Sequence, residues 1–344
     1  MRDIAAEFTE YRDRFLGPIR ELIDRVVRES GLGESSLSQM LDFHMQTGGK
    51  RLRAILPLMV GEALGEPPEL LLPLGAACEL IHNATLVHDD LQDGDRVRRG
   101  APAIWTKFGE AQAINLGDAL LYLAPLCLDY IEVSDRRRWV VARRIFRDVL
   151  QVIDGQEREF GLKGETATPE AYTKMVVGKT SGLFALPMAG AAELCGADQK
   201  IVSALAEAAG HLGVIFQIQD DILDLYGEKG RALPGGDIRE GKISALVVAY
   251  GSVAQENEVQ RLHEILRTDR EETTDEDVAW AIRSIRATGA LDLAMESITH
   301  RRGRILAMNE LTTYPGVGEL VEGMVDIFLR PIEGLFYESE VKDE

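Results

Sequence analysis

Leu86-Val87-His88-Asp89-Asp90-Leu91-Gln92-Asp93 decides how this chain is read, and Gln217-Ile218-Gln219-Asp220-Asp221-Ile222-Leu223-Asp224 repeats its pattern about 130 residues later. Each is an Asp-Asp-x-x-Asp set closing a strongly apolar segment. On a helix turning about 100° per residue, positions i and i+4 lie roughly 40° apart, with i+1 on their flank. Three carboxylates therefore crowd one side of a single turn, and their mutual repulsion weakens the helix that carries them. One such cluster could be a solvated acidic helix end in an acidic protein. Two copies inside apolar helices point instead to a shared cation. Hard oxygen donors in this number suit Mg²⁺, which takes one or two protein carboxylates and completes its shell with water and substrate phosphate.

The surrounding segments carry helical periodicity throughout, and no strand pair stands out. Apolar residues recur every three to four positions from Ile4 through Phe8, Tyr11, Phe15, Ile19, Leu22, Ile23 and Val26. Gly31 and Gly33 end that helix, and Ser35 and Ser36 offer caps for a second one to about Gln46. After Gly48-Gly49-Lys50-Arg51-Leu52-Arg53 an apolar helix runs from Ala54 to about Leu64. Pro67-Pro68 open the helix that ends in the first aspartate set, and a loop carries Gly94 to Pro102. Long helices follow over Ala111 to Tyr130 and Arg138 to Phe160. Thr168-Pro169 combines a cap with a proline at the first helical position. Further helices are expected over 183–195, 199–226, 243–254, 257–267, 275–287, 290–309 and 317–335. Gly227 to Gly241 reads as a glycine-rich loop, and Glu338 to Glu344 as a frayed end. No shift in composition marks a linker, so an all-α chain with a single domain over residues 1–344 is expected.

Composition narrows the function. The 344 residues include 38 basic and 57 acidic side chains, a formal charge of −19. Such a field argues against nucleic acid as partner and against docking on anionic lipid. Cys78, Cys127 and Cys195 are odd in number, widely spaced and set in apolar runs, so they read as buried free thiols in a reducing compartment. The charged amino terminus is no signal peptide, and no uninterrupted apolar run reaches the roughly 18–20 residues of a membrane span. A cytoplasmic chain without an integral membrane segment is the expectation.

Cations gather at glycine-flanked helix starts. Arginine is the default surface cation, with 29 arginines beside nine lysines. Yet Lys50, Lys179 and Lys242 each follow a glycine where a helix is expected to begin, a place whose backbone N–H groups already favour anions. Arg51, Arg53, Arg98 and Arg99 add planar forks suited to phosphate oxygens. Any one of these could be a solvated surface cation. Together with two aspartate sets they describe a polyphosphate site. His82, seven residues before Asp89, shares the aspartate face of its helix; both a satisfied core histidine and a functional one remain open. His88 reads as a neighbour of the cluster.

With these residues in view the chain resembles the trans-isoprenyl diphosphate synthases, or polyprenyl synthetases. The resemblance runs from Gly48 to Lys242 through Gly-Gly-Lys-Arg-Leu-Arg, the helix Glu79 to Asp90, Arg98-Arg99-Gly100, Gly117-Asp118, Gly155-Gln156, Lys179-Thr180, Phe216 to Asp221, Gly236-Asp237 and Gly241-Lys242. It implies the type I isoprenoid synthase fold, an all-α bundle around a deep central cavity with the aspartate sets across its mouth, usually as a homodimer. It implies transfer of an allylic group (dimethylallyl, geranyl or farnesyl) from its diphosphate to isopentenyl diphosphate. Asp89, Asp93 and Asp220 would hold about three Mg²⁺ ions, with Asp90, Asp221 and Asp224 as close support. Arg98, Lys179, Gln217 and Lys242 would attend the allylic diphosphate, and carbonyls near Lys179-Thr180 and Gln217 the developing cation. Lys50, Arg53, His82 and Arg99 would bind isopentenyl diphosphate. Two positions depart from the pattern. Ala232 stands where a lysine is usual, with Lys229 or Arg231 as substitutes, and Ser244 replaces a threonine.

In this family aromatic residues four or five positions before the first aspartate stop chain growth; here Ala84 and Thr85 occupy those places. A helical wheel sets Thr85, Ile81 and Cys78 nearer the aspartates than Ala84. Cys78 lies about 16 Å below Asp89 along the axis, with no aromatic between them. Geranylgeranyl diphosphate or a longer product is therefore expected, unless Tyr122, Phe146 or Leu150 floors the cavity, and Ala84→Phe should shorten it. Farnesyl diphosphate is the alternative product. A terpene cyclase and a non-catalytic partner subunit are the competing functions; the second aspartate set disfavours the first and the six intact aspartates the second.

Overall fold

The computed structural model describes residues 2–227 and 234–335, and its described residues are almost entirely helical. The helices are α1 (Ile4–Glu29), α2 (Ser36–Met45), α3 (Leu52–Ala63), α4 (Leu72–Gln92), α5 (Ile104–Phe108), α6 (Glu110–Leu126), α7 (Asp135–Leu162), α8 (Pro169–Val176) and α9 (Gly182–Ala185). They continue as α10 (Ala191–Cys195), α11 (Gln199–Tyr226), α12 (Gly236–Arg239), α13 (Ala245–Val253), α14 (Glu256–Arg267), α15 (Asp275–Ala287), α16 (Ala290–Leu306), α17 (Asn309–Thr312) and α18 (Pro315–Leu329). The all-α expectation holds. Lys229, Arg231 and Ala232 lie outside the described residues, as do Glu338 to Glu344.

Local chemistry sets the boundaries. The Ser35 hydroxyl accepts from Ser38 N at 3.4 Å, and the Thr168 hydroxyl accepts from Ala171 N at 3.2 Å ahead of Pro169. Thr274 and Asp277 form a reciprocal capping box at the start of α15. Each satisfies donors that a bare helix start would leave unpaired. Three features escape the periodicity. Val97–Arg98 (β1) and Ala101–Pro102 (β2) pair antiparallel where a loop is expected. Short helix α12 sits in the segment read as a glycine-rich loop, and α5 in a stretch to which the periodicity assigns no element. Finally, the backbone widens into π-turns at Val177–Ser181 and Leu186–Gly190.

The chain forms two compact units. One comprises Met1–Val149, Leu183–Ala206 and Glu310–Leu320; the other comprises Leu150–Gly182, Glu207–Asn309 and Val321–Glu344. The first unit closes around α3 and α4, whose Ile55, Leu56, Leu58, Leu74, Leu80 and Ile81 are buried. The second closes around α11, α13 and α16, through residues such as Val214, Ile222, Tyr250 and Ile298. This apolar content bears on one expectation. Pro68–Gln92, Glu110–Tyr130, Pro169–Cys195 and Gln199–Tyr226 are each long and apolar enough, by length and composition, to cross a membrane. The span is reached because one or two charged residues interrupt an otherwise apolar run, which counting uninterrupted residues misses. In three of the four most of that apolar window is buried against protein, and about 44% of it is in Glu110–Tyr130.

Two further expectations shift. Cys78 and Cys127 are buried, whereas Cys195 is only half-buried. Tyr122, Phe146 and Leu150 are 75%, 47% and 64% exposed within this chain, so they stand on solvent-facing helix surfaces rather than in its core. Phe146 and Leu150 belong to an exposed stripe on α7 that includes Trp139, Ile153 and Phe160. Its spacing keeps one helix face.

Burial also catches a charge in the first unit. Asp148 on α7 is 7% exposed and its Oδ2 has no hydrogen-bond partner. Arg144 stands 3.9 Å away, but its fork is engaged by Glu193 at 2.8 and 2.7 Å. Burial therefore outweighs the attraction of Arg144 and pushes the Asp148 carboxyl up to about 7. A raised folded-state pKa gives a contribution that is fully present below the unfolded value and is lost as pH rises toward 7. Asp148→Asn should raise the melting temperature more at pH 8 than at pH 5, with a gain on the order of 3 kcal/mol at the higher pH. Equal shifts at the two pH values, read by calorimetry, would contradict this origin.

Candidate active site

In the first unit the site begins at the carboxyl end of α4, where the helix dipole already disfavours negative charge. Asp89 and Asp93 are half-buried and partly accessible, while Asp90 turns inward and is 1% exposed. Arg98 Nε donates to Asp90 Oδ1 at 2.5 Å. Burial raises the Asp90 carboxyl pKa against the pull of Arg98. Arg98 comes from β1, which turns back into β2 through Arg99 (φ 51°) and Gly100 (φ 81°). Two left-handed central residues give the type I′ turn that matches strand twist. The Arg99 guanidinium then donates to Gly48 O. Gly49, at φ 124°, passes so close that a Cβ there would meet Arg99 Nη1 at 2.4 Å. The φ is what calls for glycine here, since the Arg99 guanidinium ends a flexible side chain and can shift.

Arg51 is the second non-glycine residue with positive φ, at 56°. Its guanidinium reaches Glu79 and donates to Met45 O at 2.5 Å. Arg53 Nη1 lies 3.2 Å from His82 Nε2, and its guanidinium carbon lies 4.9 Å from the centre of the Phe184 ring. Burial lowers Arg53 to about 10 and holds His82 well below the usual imidazole range, with Arg53 adding to the second shift. His82 is thus neutral at pH 7. Since guanidinium only donates, His82 Nε2 accepts and the proton sits on Nδ1. Lys50 is exposed beside this cluster. Lys50, Arg53, His82, Arg98 and Arg99 are therefore all carried by one structural unit with Asp89, Asp90 and Asp93.

Below the aspartates, Thr85 is half-buried on the face of α4 shared with His82, Asp89 and Asp93, and its hydroxyl donates to His82 O at 2.8 Å. Ala84 is 0% exposed and faces the core. His88 Nε2 lies 3.7 Å from Asp118 Oδ1.

The second unit assembles the other set. Asp221 is buried and surrounded by donors: Tyr172 Oη and Ala245 N at 2.7 Å on Oδ2, and Gln217 Nε2 at 2.9 Å on Oδ1. Burial nevertheless raises its carboxyl to about 6. Asp224 is 3% exposed, and its Oδ2 accepts from Asp237 N at 3.0 Å. Asp220 is half-buried and partly accessible. Thr180 Oγ1 donates to Gln217 Oε1 at 3.2 Å, Lys179 pairs with Glu159, and Lys242 Nζ lies 2.8 Å from Glu240.

Exposure thus divides the six aspartates. Asp89, Asp93 and Asp220 reach outward; Asp90, Asp221 and Asp224 are committed to protein donors. Among the described residues no group of three His, Cys, Asp or Glu side chains could hold a metal ion unaided. The donor set still fits Mg²⁺ whose shell is completed by water and phosphate, because one or two carboxylates suffice there. The sequence left Tyr172, Asp237, Glu159 and Glu79 without roles. Glu79 alone leaves a trace, as a lone carboxylate inside the apolar run Ala76 to Ile81.

Lys179 and Thr180 lie in the π-turn Val177–Ser181, and this backbone is packed against α7. A Cβ on Gly155 would meet Lys179 N at 2.0 Å. Backbone cannot step aside as a flexible side chain can. Gly155→Ala should lower stability by about 1–3 kcal/mol as overpacking and displace Lys179. Retention of both the wild-type melting temperature and diphosphate binding, measured by calorimetry, would argue against this contact.

Comparison with known proteins supplies the family. Residues 34–285 match the polyprenyl synthetase family model. The chain is 37% identical over 250 residues to a geranylgeranyl diphosphate synthase of Saccharolobus solfataricus, covering 71% of this chain and 75% of that protein. It is 33% identical over 298 residues to a short chain isoprenyl diphosphate synthase of Methanothermobacter thermautotrophicus, covering 85% and 86%. The crystal structure of a polyprenyl synthetase from Streptomyces coelicolor A3(2) superposes with a TM-score of 0.83 at 26% identity, covering 94% of this chain and 99% of that one. A family match across most of the chain, relatives of this identity and a shared all-α architecture agree: the chain belongs to the polyprenyl synthetase family.

Proposed function

We propose that residues 1–344 work as one Mg²⁺-dependent trans-prenyltransferase domain that joins isopentenyl diphosphate to an allylic diphosphate, with geranylgeranyl diphosphate or a longer chain as product. The observation that carries this reading is the division of the aspartates: three partly accessible carboxylates, each backed by buried ones held on protein donors. Bound Mg²⁺ would neutralise the charge that grows on the departing diphosphate. Around it, Lys179, Lys242 and Arg98 supply cations and Gln217 a polar contact to the allylic diphosphate. The π-turn takes the carbonyls near Lys179-Thr180 out of the ordinary α-helical register. Such carbonyls present partial negative charge to an allylic cation. Lys50, Arg53, Arg99 and neutral His82 orient isopentenyl diphosphate, whose double bond attacks that cation. Proton loss to the released diphosphate completes the extension by five carbons. No protein base is needed.

Product length follows from α4. No aromatic residue lies between Cys78 and Asp89, and the relative from Saccharolobus solfataricus carries the name geranylgeranyl diphosphate synthase. Thr85, on the face shared with the outward aspartates, is the better gate than Ala84, whose face is closed by the core. Incubation with isopentenyl diphosphate, farnesyl diphosphate and Mg²⁺ should give geranylgeranyl or longer diphosphates. A hydrocarbon product would indicate a cyclase, and no turnover a non-catalytic subunit. Thr85→Phe should shorten the product while keeping activity, whereas Ala84→Phe should cost about 1–3 kcal/mol of stability by overpacking. An unchanged chromatographic profile for Thr85→Phe would remove it as the gate.

The exposed apolar stripe on α7 supports a homodimer, since so continuous a stripe on a long helix is seldom left in water. Sedimentation should give about twice the 38.0 kDa chain mass, and Phe146→Glu with Leu150→Glu should return it to the monomer. A monomeric wild-type chain would overturn the assembly.

A further inference from the structure

Glu79 takes no part in the chemistry above, yet it is fully buried on α4. Burying a carboxylate among apolar neighbours is costly unless it is paired. Its Oε1 accepts from Arg51 Nη1 and, at 2.9 Å, from Asn83 Nδ2, while Oε2 is buried with no hydrogen-bond partner. The negative charge of Glu79 also acts on Arg53 and Arg99. A buried anion therefore lies beneath the cationic cluster.

Arg51 transmits its position. The guanidinium bridges the interior of α4 and the end of α2, through Glu79 and Met45 O. Its backbone is left-handed, a conformation that non-glycine residues adopt only when their surroundings hold them there. Lys50 precedes Arg51 directly and Arg53 follows two residues later, so the held turn decides where both point. We propose that Glu79, acting through Arg51, is a positioning residue that keeps the Gly48–Arg53 loop in the shape that binds the diphosphate of isopentenyl diphosphate, an inference that rests on the function proposed above.

Two effects of removing this carboxylate oppose each other. The cationic cluster becomes more positive, which by itself tightens anion binding, while the loop loses its hold. Screening by solvent weakens the first effect at the exposed end of the loop, where Lys50 sits, so loss of shape dominates. Steady-state kinetics on the full chain should vary each substrate with the other saturating, for wild type, Glu79→Gln, Glu79→Asp and Arg51→Lys. For Glu79→Gln the KM for isopentenyl diphosphate should rise about tenfold or more, with kcat and the allylic KM held within about threefold. Arg51→Lys, which keeps the charge but loses the fork, should show the same split, and Glu79→Asp should recover part of the loss.

An unchanged or lower KM for isopentenyl diphosphate in Glu79→Gln, or a parallel rise of both KM values, would overturn the assignment. If Glu79→Gln fails to fold by circular dichroism, Arg51→Lys decides on the same terms. A wild-type chain without condensation activity would bring down the function itself. An active wild type with unaltered KM in both variants would bring down only the positioning role.

Discussion

Like charges held close together at the ends of apolar helices form the constraint on which the rest of the structure depends. Aspartates in adjacent positions repel, and three of the six are buried where water cannot screen them. The chain meets this with one device in two forms. Asp90 is held by a guanidinium, and Asp221 by an amide, a phenol and a backbone N–H. Asp224 accepts from the backbone N–H of Asp237. The inward carboxylates thereby fix the rotation of their helices, and the remaining aspartates are turned outward as a result.

The cations obey the same logic with the sign reversed. Arg98, Arg99, Arg51 and Arg53 would scatter if left to repulsion. Asp90 and Glu79 pin two of them, a backbone carbonyl pins a third, and the Phe184 ring and His82 lie against the fourth. Two of these arginines accept left-handed backbone to reach their partners. That local strain is compensated by hydrogen bonds to charged groups, which are among the stronger contacts in a protein. Protein groups alone thus hold all four guanidiniums close together.

Much of this was legible in the sequence because helices announce themselves by period. The 3.6-residue repeat located α1, α4, α7 and α11, Ser35 and Thr168 marked the starts of α2 and α8, and the aspartate sets marked the ends of α4 and α11. The short pieces were not legible. Helices α5 and α12 have too few residues to show a period, and the arms of the Val97–Pro102 hairpin are two residues each. The π-turn depends on Gly155 approaching Lys179 across some two dozen residues of chain, a contact that no local pattern encodes. Glu79 was visible as an odd charge in an apolar run, but its partner stands 28 residues upstream. The division of the aspartates into inward and outward members likewise required neighbours such as Tyr172 and Ala245, which carry no motif of their own.

The π-turn at Val177–Ser181 has a consequence for how this region can vary. A π-turn is an α-helix carrying one residue more than its ladder needs. An extra residue in an ordinary helix would rotate everything beyond it by about 100°, and the wider turn absorbs the residue without that rotation. The turn therefore carries a surplus residue without a change of phase. Thr180 within it and Tyr172 ahead of it reach the same hydrogen-bonded chain, through Asp221 and Gln217. Loss of one residue at this turn should accordingly disturb its surroundings less than loss of one from the regular helix before it, which would rotate all that follows.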